Sequence, residues 1–151
     1  MSTVEERKHI AEQLNNVLIP ACCSGDKSAE AYLKRVFFVV RMIDDLQDGD
    51  TPVNKNDIIK GFMMTIADLP NNTFYKKHAD MLNGIHLISF NAWRDSNAWE
   101  QSDDPSKKMY AHVLRDYICE LFVLVAFLTG GEKLMHEVSL QMREMFLKKM
   151  E

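Results

Sequence analysis

The segment Arg41-Met42-Ile43-Asp44-Asp45-Leu46-Gln47-Asp48-Gly49-Asp50 gathers four carboxylates at the end of an apolar stretch. At helical pitch Asp44 and Asp48 stand one turn apart on one face, where two carboxylates can share a divalent cation. Mg²⁺ takes hard oxygen ligands, keeps several waters and bridges to substrate phosphate, so one or two protein carboxylates per ion suffice. That chemistry suits a diphosphate. A plainer reading stands beside it: aspartates collect at helix ends because they favour turns, and Arg41 with Asp45 is an ordinary i,i+4 pair.

Two further segments repeat the spacing. Asn91 and Asp95 are four residues apart, and His112, Asp116 and Glu120 follow at successive steps of four. Each has its own plain reading as a polar helix shoulder. Their recurrence raises the metal reading, because inward-facing metal sites of helical bundles are built from such pairs on several helices. The expected ligand set is Asp44, Asp45, Asp48, Asp95 and Asp116, with Asp44, Asp48 and Asp95 at the reacting centre. Arg41, Lys34, Asn91 and His112 are the expected substrate contacts.

The elements that must position these residues read as helices throughout. Thr3 and Glu6 have the form of a capping box ahead of Ile10, Leu14 and Leu18, in a first helix that the proline rule ends before Pro20. From a Ser28 cap, Tyr32, Val36, Phe37, Val40, Ile43 and Leu46 predict a second helix ending at Asp48-Gly49-Asp50. Asn56 or Asp57 caps a third, with Ile58, Ile59, Phe62, Met63 and Ile66 as its apolar face and Pro70 with the Asn71-Asn72 pair as its end. A fourth runs over 73–101, with Phe74, Met81, Leu82, Ile85, Ile88, Ala92 and Trp93 inward and a bend at Gly84. Asp104-Pro105 opens a fifth that turns apolar over 121–128 and stops at Gly130-Gly131. The sixth covers 132–149, with Leu134, Val138, Met142 and Phe146 inward. No β-type alternation or internal repeat appears. The expected architecture is all-α: one domain, residues 1–151, forming a bundle of about six helices.

Bulk properties narrow the function classes. The chain has 151 residues, 46% of them hydrophobic and 26% charged, which is ordinary globular composition. Eighteen basic residues against 22 acidic ones leave a net charge of −4, so no general attraction to nucleic acid exists. The longest apolar run, 121–128, is far shorter than the roughly 20 residues of a membrane span. Cys22, Cys23 and Cys119 are odd in number and lack zinc-ligand spacing, and no signal-type apolar segment follows the charged N-terminus. Reduced thiols and a cytoplasmic location are expected. The ten methionines read as adaptable core or interface filler.

Residues 32–49, an apolar helix, an arginine and then Asp44-Asp45-Leu46-Gln47-Asp48, resemble the first aspartate-rich motif of the squalene and phytoene synthases. Asn91-Ala92-Trp93-Arg94-Asp95 is similar to the short segment preceding that family's next long helix, and 110–131 is similar to that helix with its glycine end. The resemblance implies an isoprenoid-synthase-like helical fold in which Asp44, Asp45 and Asp48 hold Mg²⁺ against a prenyl diphosphate. A second D-x-x-x-D motif does not follow, which leaves Asn91, Asp95 and Asp116 as candidates for the other metal face.

Two functions compete on these grounds. One is a small Mg²⁺-dependent enzyme acting on a diphosphate, either a prenyl diphosphate transferase or lyase or a nucleotide pyrophosphohydrolase. In it the cation neutralises charge on the diphosphate, with Arg41 or Lys34 as a phosphate contact. The other is a non-catalytic helical protein that binds a protein partner or self-associates as a homo-oligomer, with the Met-rich last helix as an adaptable surface.

Overall fold

The computed structural model describes residues 4–150, with side chains through Lys148; Thr3 of the expected capping box lies outside the described residues. All of its regular structure is helical, in five runs rather than six. The first, α1, covers residues 4–23, and α2 is Lys27–Asp48. Residues 55–71 form α3 and Thr73–Glu100 forms α4. The last run, α5, passes from Pro105–Arg115 through a 3₁₀ turn at Tyr117–Cys119 into Glu120–Met150.

The first helix was expected to stop before Pro20, and it does not; a wide turn precedes both Pro20 and Pro70. In α1 the turn Leu14–Leu18 is π-helical, with the Ile19 N–H bonded to the Leu14 carbonyl, and Pro20 follows inside the helix. In α3 the turn Met64–Asp68 does the same, with the Leu69 N–H bonded to the Met64 carbonyl ahead of Pro70. The wider turn shifts the hydrogen-bond register so that the proline, which has no N–H to give, removes no ladder bond. α3 ends at the asparagine pair, as expected, with Asn72 extended at ψ 127°.

Short polar side chains cap the other helices, often a residue or two before the positions the sequence suggests. Asp26 rather than Ser28 caps α2, accepting from the Ser28 and Ala29 N–H groups at 2.9 and 3.2 Å. Asn54 rather than Asn56 caps α3, and Asn72 caps α4. Asp104 caps α5 ahead of Pro105, as expected. Gly49 closes α2 in the left-handed conformation.

The core centres on the apolar arm of α5, where Leu121, Phe122, Val125 and Ala126 are buried. Against it lie Leu18, Ile19, Cys22 and Cys23 of α1, Tyr32, Leu33 and Val36 of α2, and Phe74 and Leu82 of α4. Phe37 stacks on Phe122 with ring centroids 4.7 Å apart. The Thr129 hydroxyl donates to the Cys22 carbonyl at 2.6 Å, fixing the end of the arm to the end of α1. The Tyr32 hydroxyl meets His86 Nε2 at 2.6 Å, and burial both raises the phenol pKa and lowers the imidazole pKa, so the pair is neutral. All three cysteines are buried.

Three local expectations fail for identifiable reasons. The fifth helix is broken at Asp116, where φ −89° and ψ 7° leave the α-helical region, so His112, Asp116 and Glu120 do not share one helical face. The bend in α4 falls at His78 (φ −121°, ψ 16°) and not at Gly84. Ile59, Phe62, Met63 and Ile66 are exposed, because α3 meets α2 through Gly61. A Cβ at Gly61 would come within 2.8 Å of the Met42 sulfur, so the close approach selects that side of the helix.

Gly131 has φ 83° and ψ −171°, a region open in practice only to glycine. It folds α5 back on itself: Arg143 reaches Glu120 at 2.8 Å, although 23 residues of straight helix would separate them by about 34 Å. Gly131→Ala is expected to lower stability by about 1–3 kcal/mol in urea denaturation, from backbone strain alone, since no atom lies near the added methyl. Gly84→Ala, in open space within a helix, is expected to raise stability by about 0.5–1 kcal/mol. Equal stability of the Gly131→Ala variant and the native chain would refute the assigned role.

Candidate functional site

The acidic end of α2 meets the last turns of α4 and the end of the Pro105–Arg115 segment. Asp44 accepts the Trp93 indole N–H at 3.3 Å. Arg115 holds Glu100 at 2.7 Å and stands 3.9 Å from Asp48. Asp50, just past the helix end, faces Arg7 of α1 at 3.7 Å. A small cavity of about 170 Å³ opens beside this group, lined by Ser96, Glu100, Lys108, Ala111, His112 and Arg115.

The carboxylates here carry unbalanced negative charge. Partial burial raises the pKa of Asp48, the neighbouring Asp44 raises it further, and Arg115 offsets only part of the effect. Burial likewise raises Asp45, against the attraction of Arg41. A half-buried carboxylate beside another is the arrangement that disfavours ionisation.

The other expected site residues do not join this group. Trp93 points at α2, so Asn91 and Asp95, each two positions away and therefore about 200° around the helix, share the opposite face. Both are exposed, and Asn91 donates to Asp95 at 3.3 Å. Asp116 is half-buried at the break in α5, where its carbonyl accepts the Cys119 N–H at 2.9 Å. Glu120 is engaged by the Arg143 guanidinium. His112 lines the cavity but is exposed, as are Arg41 and Lys34. Lys34 precedes Asp44 by ten residues, about 15 Å along the helix axis.

The three acidic faces therefore remain apart. Among the described residues no group of three His, Cys, Asp or Glu side chains could hold a metal ion. Of the two carboxylates expected to share Mg²⁺, Asp44 is bonded to the Trp93 indole and Asp48 faces Arg115. The residues that organise this end, Arg115, Glu100 and Trp93, carry little signal in the sequence. Only Trp93 offered one, since a half-buried indole N–H requires an acceptor.

A larger polar cleft of about 300 Å³ lies at the opposite end, where the α1–α2 turn, the start of α4 and the end of the apolar arm meet. Ser24, Asp26, Ser28, Lys77, His78 and Thr129 line it. Several of these groups are committed within the fold: Ser24 donates to Thr129 at 3.3 Å, and Asp26 caps α2. Nothing in the sequence pattern marks this cleft, because its residues come from three separate chain segments.

The raised affinity of Asp45 and Asp48 for protons has a consequence for stability. A carboxyl whose folded pKa is raised stabilises the fold when protonated; that contribution is complete below the unfolded value of about 3.9 and is lost as pH rises through the folded value. Asp48→Asn is accordingly expected to be more stable than the native chain at pH 7, with the advantage shrinking to nothing below about pH 3.9. Thermal melts across that range would check it, and a variant less stable at neutral pH would show that the Arg115 contact dominates.

Comparison with known protein families, with curated proteins and with solved structures yields no significant match, so the fold and this geometry are what bear on function.

Proposed function

We propose that the chain is a non-catalytic helical protein that buries an apolar helix face against another polypeptide. The observation that carries this reading is the outward face of α3: Ile59, Phe62, Met63 and Ile66 are 56–71% exposed on adjoining turns of one helix. A monomer gains nothing from a contiguous apolar stripe in water, and such patches characteristically mark interaction surfaces. Three of the acidic residues read from the sequence as ligands also have internal partners: Trp93 for Asp44, Arg115 for Asp48 and Asn91 for Asp95.

A second reading, a Mg²⁺-dependent enzyme acting on a prenyl or nucleotide diphosphate within an isoprenoid-synthase-like fold, is favoured by the excess negative charge at Asp45 and Asp48. In that case the diphosphate must bring ligands that the chain lacks. Calorimetric titration with Mg²⁺, with and without pyrophosphate, separates the two. The first reading expects no binding that depends on Asp44 and Asp48; binding that tightens with pyrophosphate and disappears in the Asp44→Asn, Asp48→Asn double variant would favour the enzyme.

The interaction reading has its own measurement. Lysine-directed cross-linking of isotopically mixed protein in extracts of its source cells is expected to join Lys55 or Lys60, at the border of the stripe, to a second polypeptide. Links confined within single chains would overturn it.

A further inference from the structure

The accessible surface of the chain is 9552 Å². A compact monomer of this mass, 17.5 kDa, exposes about 7,900 Å². The surplus, about 1,700 Å², is roughly twice the 800 Å² that each partner buries in an interface of standard size. The isolated chain therefore has surface enough to give up to a stable dimer, and α3 shows where an apolar part of it lies.

Resting on the interaction reading above, we infer that the occupant of the α3 stripe is a second copy of this chain, paired antiparallel about a two-fold axis between Phe62 and Met63. The spacing of the stripe is self-complementary under that operation. Ile59 of one copy faces Ile66 of the other, and Phe62 faces Met63, so each apolar side chain meets an apolar one, as an isologous interface requires. A parallel pairing, about a two-fold along the helix axes, would set Ile59 against Ile59 and Ile66 against Ile66 but would also bring the two Lys55 ammonium groups together.

The charges near α3 agree with this arrangement. Lys60 lies over the Phe38 ring at 4.9 Å and Asp68 is held by Arg35 at 3.4 Å, so both border charges are drawn towards α2. Lys55 occupies the stripe's own angular position at the helix start. Antiparallel pairing brings it to the last turn of α3 in the other copy, beside Pro70, where helix carbonyls favour a cation. With Gly61 on the opposite side of the helix, the stripe can be covered without disturbing the contact between α3 and α2.

Sedimentation equilibrium of the full chain is expected to give twice the monomer mass. The Phe62→Glu, Ile66→Glu double variant should weaken association by about 30-fold or more while its helical circular dichroism stays unchanged. Orientation is read from engineered thiols, since the native cysteines are buried. Ile59→Cys mixed with Ile66→Cys should form a disulfide-linked dimer under mild oxidation, and either variant alone should not. A native chain that is monomeric at every concentration would overturn self-pairing, leaving the interaction reading to the cross-linking result. A dimer untouched by the double variant would overturn α3 as the interface while upholding that reading. Cross-linking of Ile59→Cys alone would overturn the antiparallel arrangement.

Discussion

The apolar arm of α5 can fill the centre of the bundle only because the chain reverses at Gly131. Leu121, Phe122, Val125 and Ala126 are buried on several sides at once, so helices must cover the arm from more than one direction. α1, α2 and α4 supply part of that cover, and the arm's own continuation, folded back with Val138 and Met142 inward, supplies more. A side chain at φ 83°, ψ −171° would oppose that reversal. Glu120 and Arg143 then close the open end of the hairpin with a charge-assisted contact.

From that centre the placement of the polar ends follows. The Thr129 bond to the Cys22 carbonyl registers the arm against α1. Tyr32 and His86 register α2 against α4 through a partly buried hydrogen bond. Once α2 and α4 run side by side, Trp93 arrives at Asp44, and the return through 101–104 carries Arg115 to Asp48 and Glu100. The acidic tip of α2 is thus held by an indole N–H and a guanidinium supplied by the neighbouring elements. Its remaining charge is a consequence of how closely the aspartates follow one another in sequence.

The same packing leaves apolar surface outside. α3 is short, and its contact with α2 passes through Gly61, so the larger side chains of that helix face away. Leu87 on α4 and Met109 and Val113 on α5 are likewise exposed. A bundle organised around one central arm has room for only some of its amphipathic faces, and those left over are where another chain can be recognised.

Much of the architecture was legible from periodicity and punctuation. The helical class, the long fourth helix, the Asp104-Pro105 start, the end of α2 at Gly49 and the central character of 121–128 all follow from local chemistry, because caps, glycines and apolar spacing act within a few residues. The functional end was not legible in the same way. Asp44, Asp48, Asn91, Asp95, Asp116 and Glu120 share a spacing, but spacing sets only which residues lie on one face of their own helix, not which way that face points. Rotation about each helix axis is set by which side packs, and here Gly61 turned α3 outward, Trp93 turned Asp95 away from Asp44, and the break at Asp116 divided the third acidic series. Pro20 shows the same division: sequence rules forbid an ordinary turn ahead of it, and only the tertiary structure, by accepting a wide turn there, decided that the first helix continues.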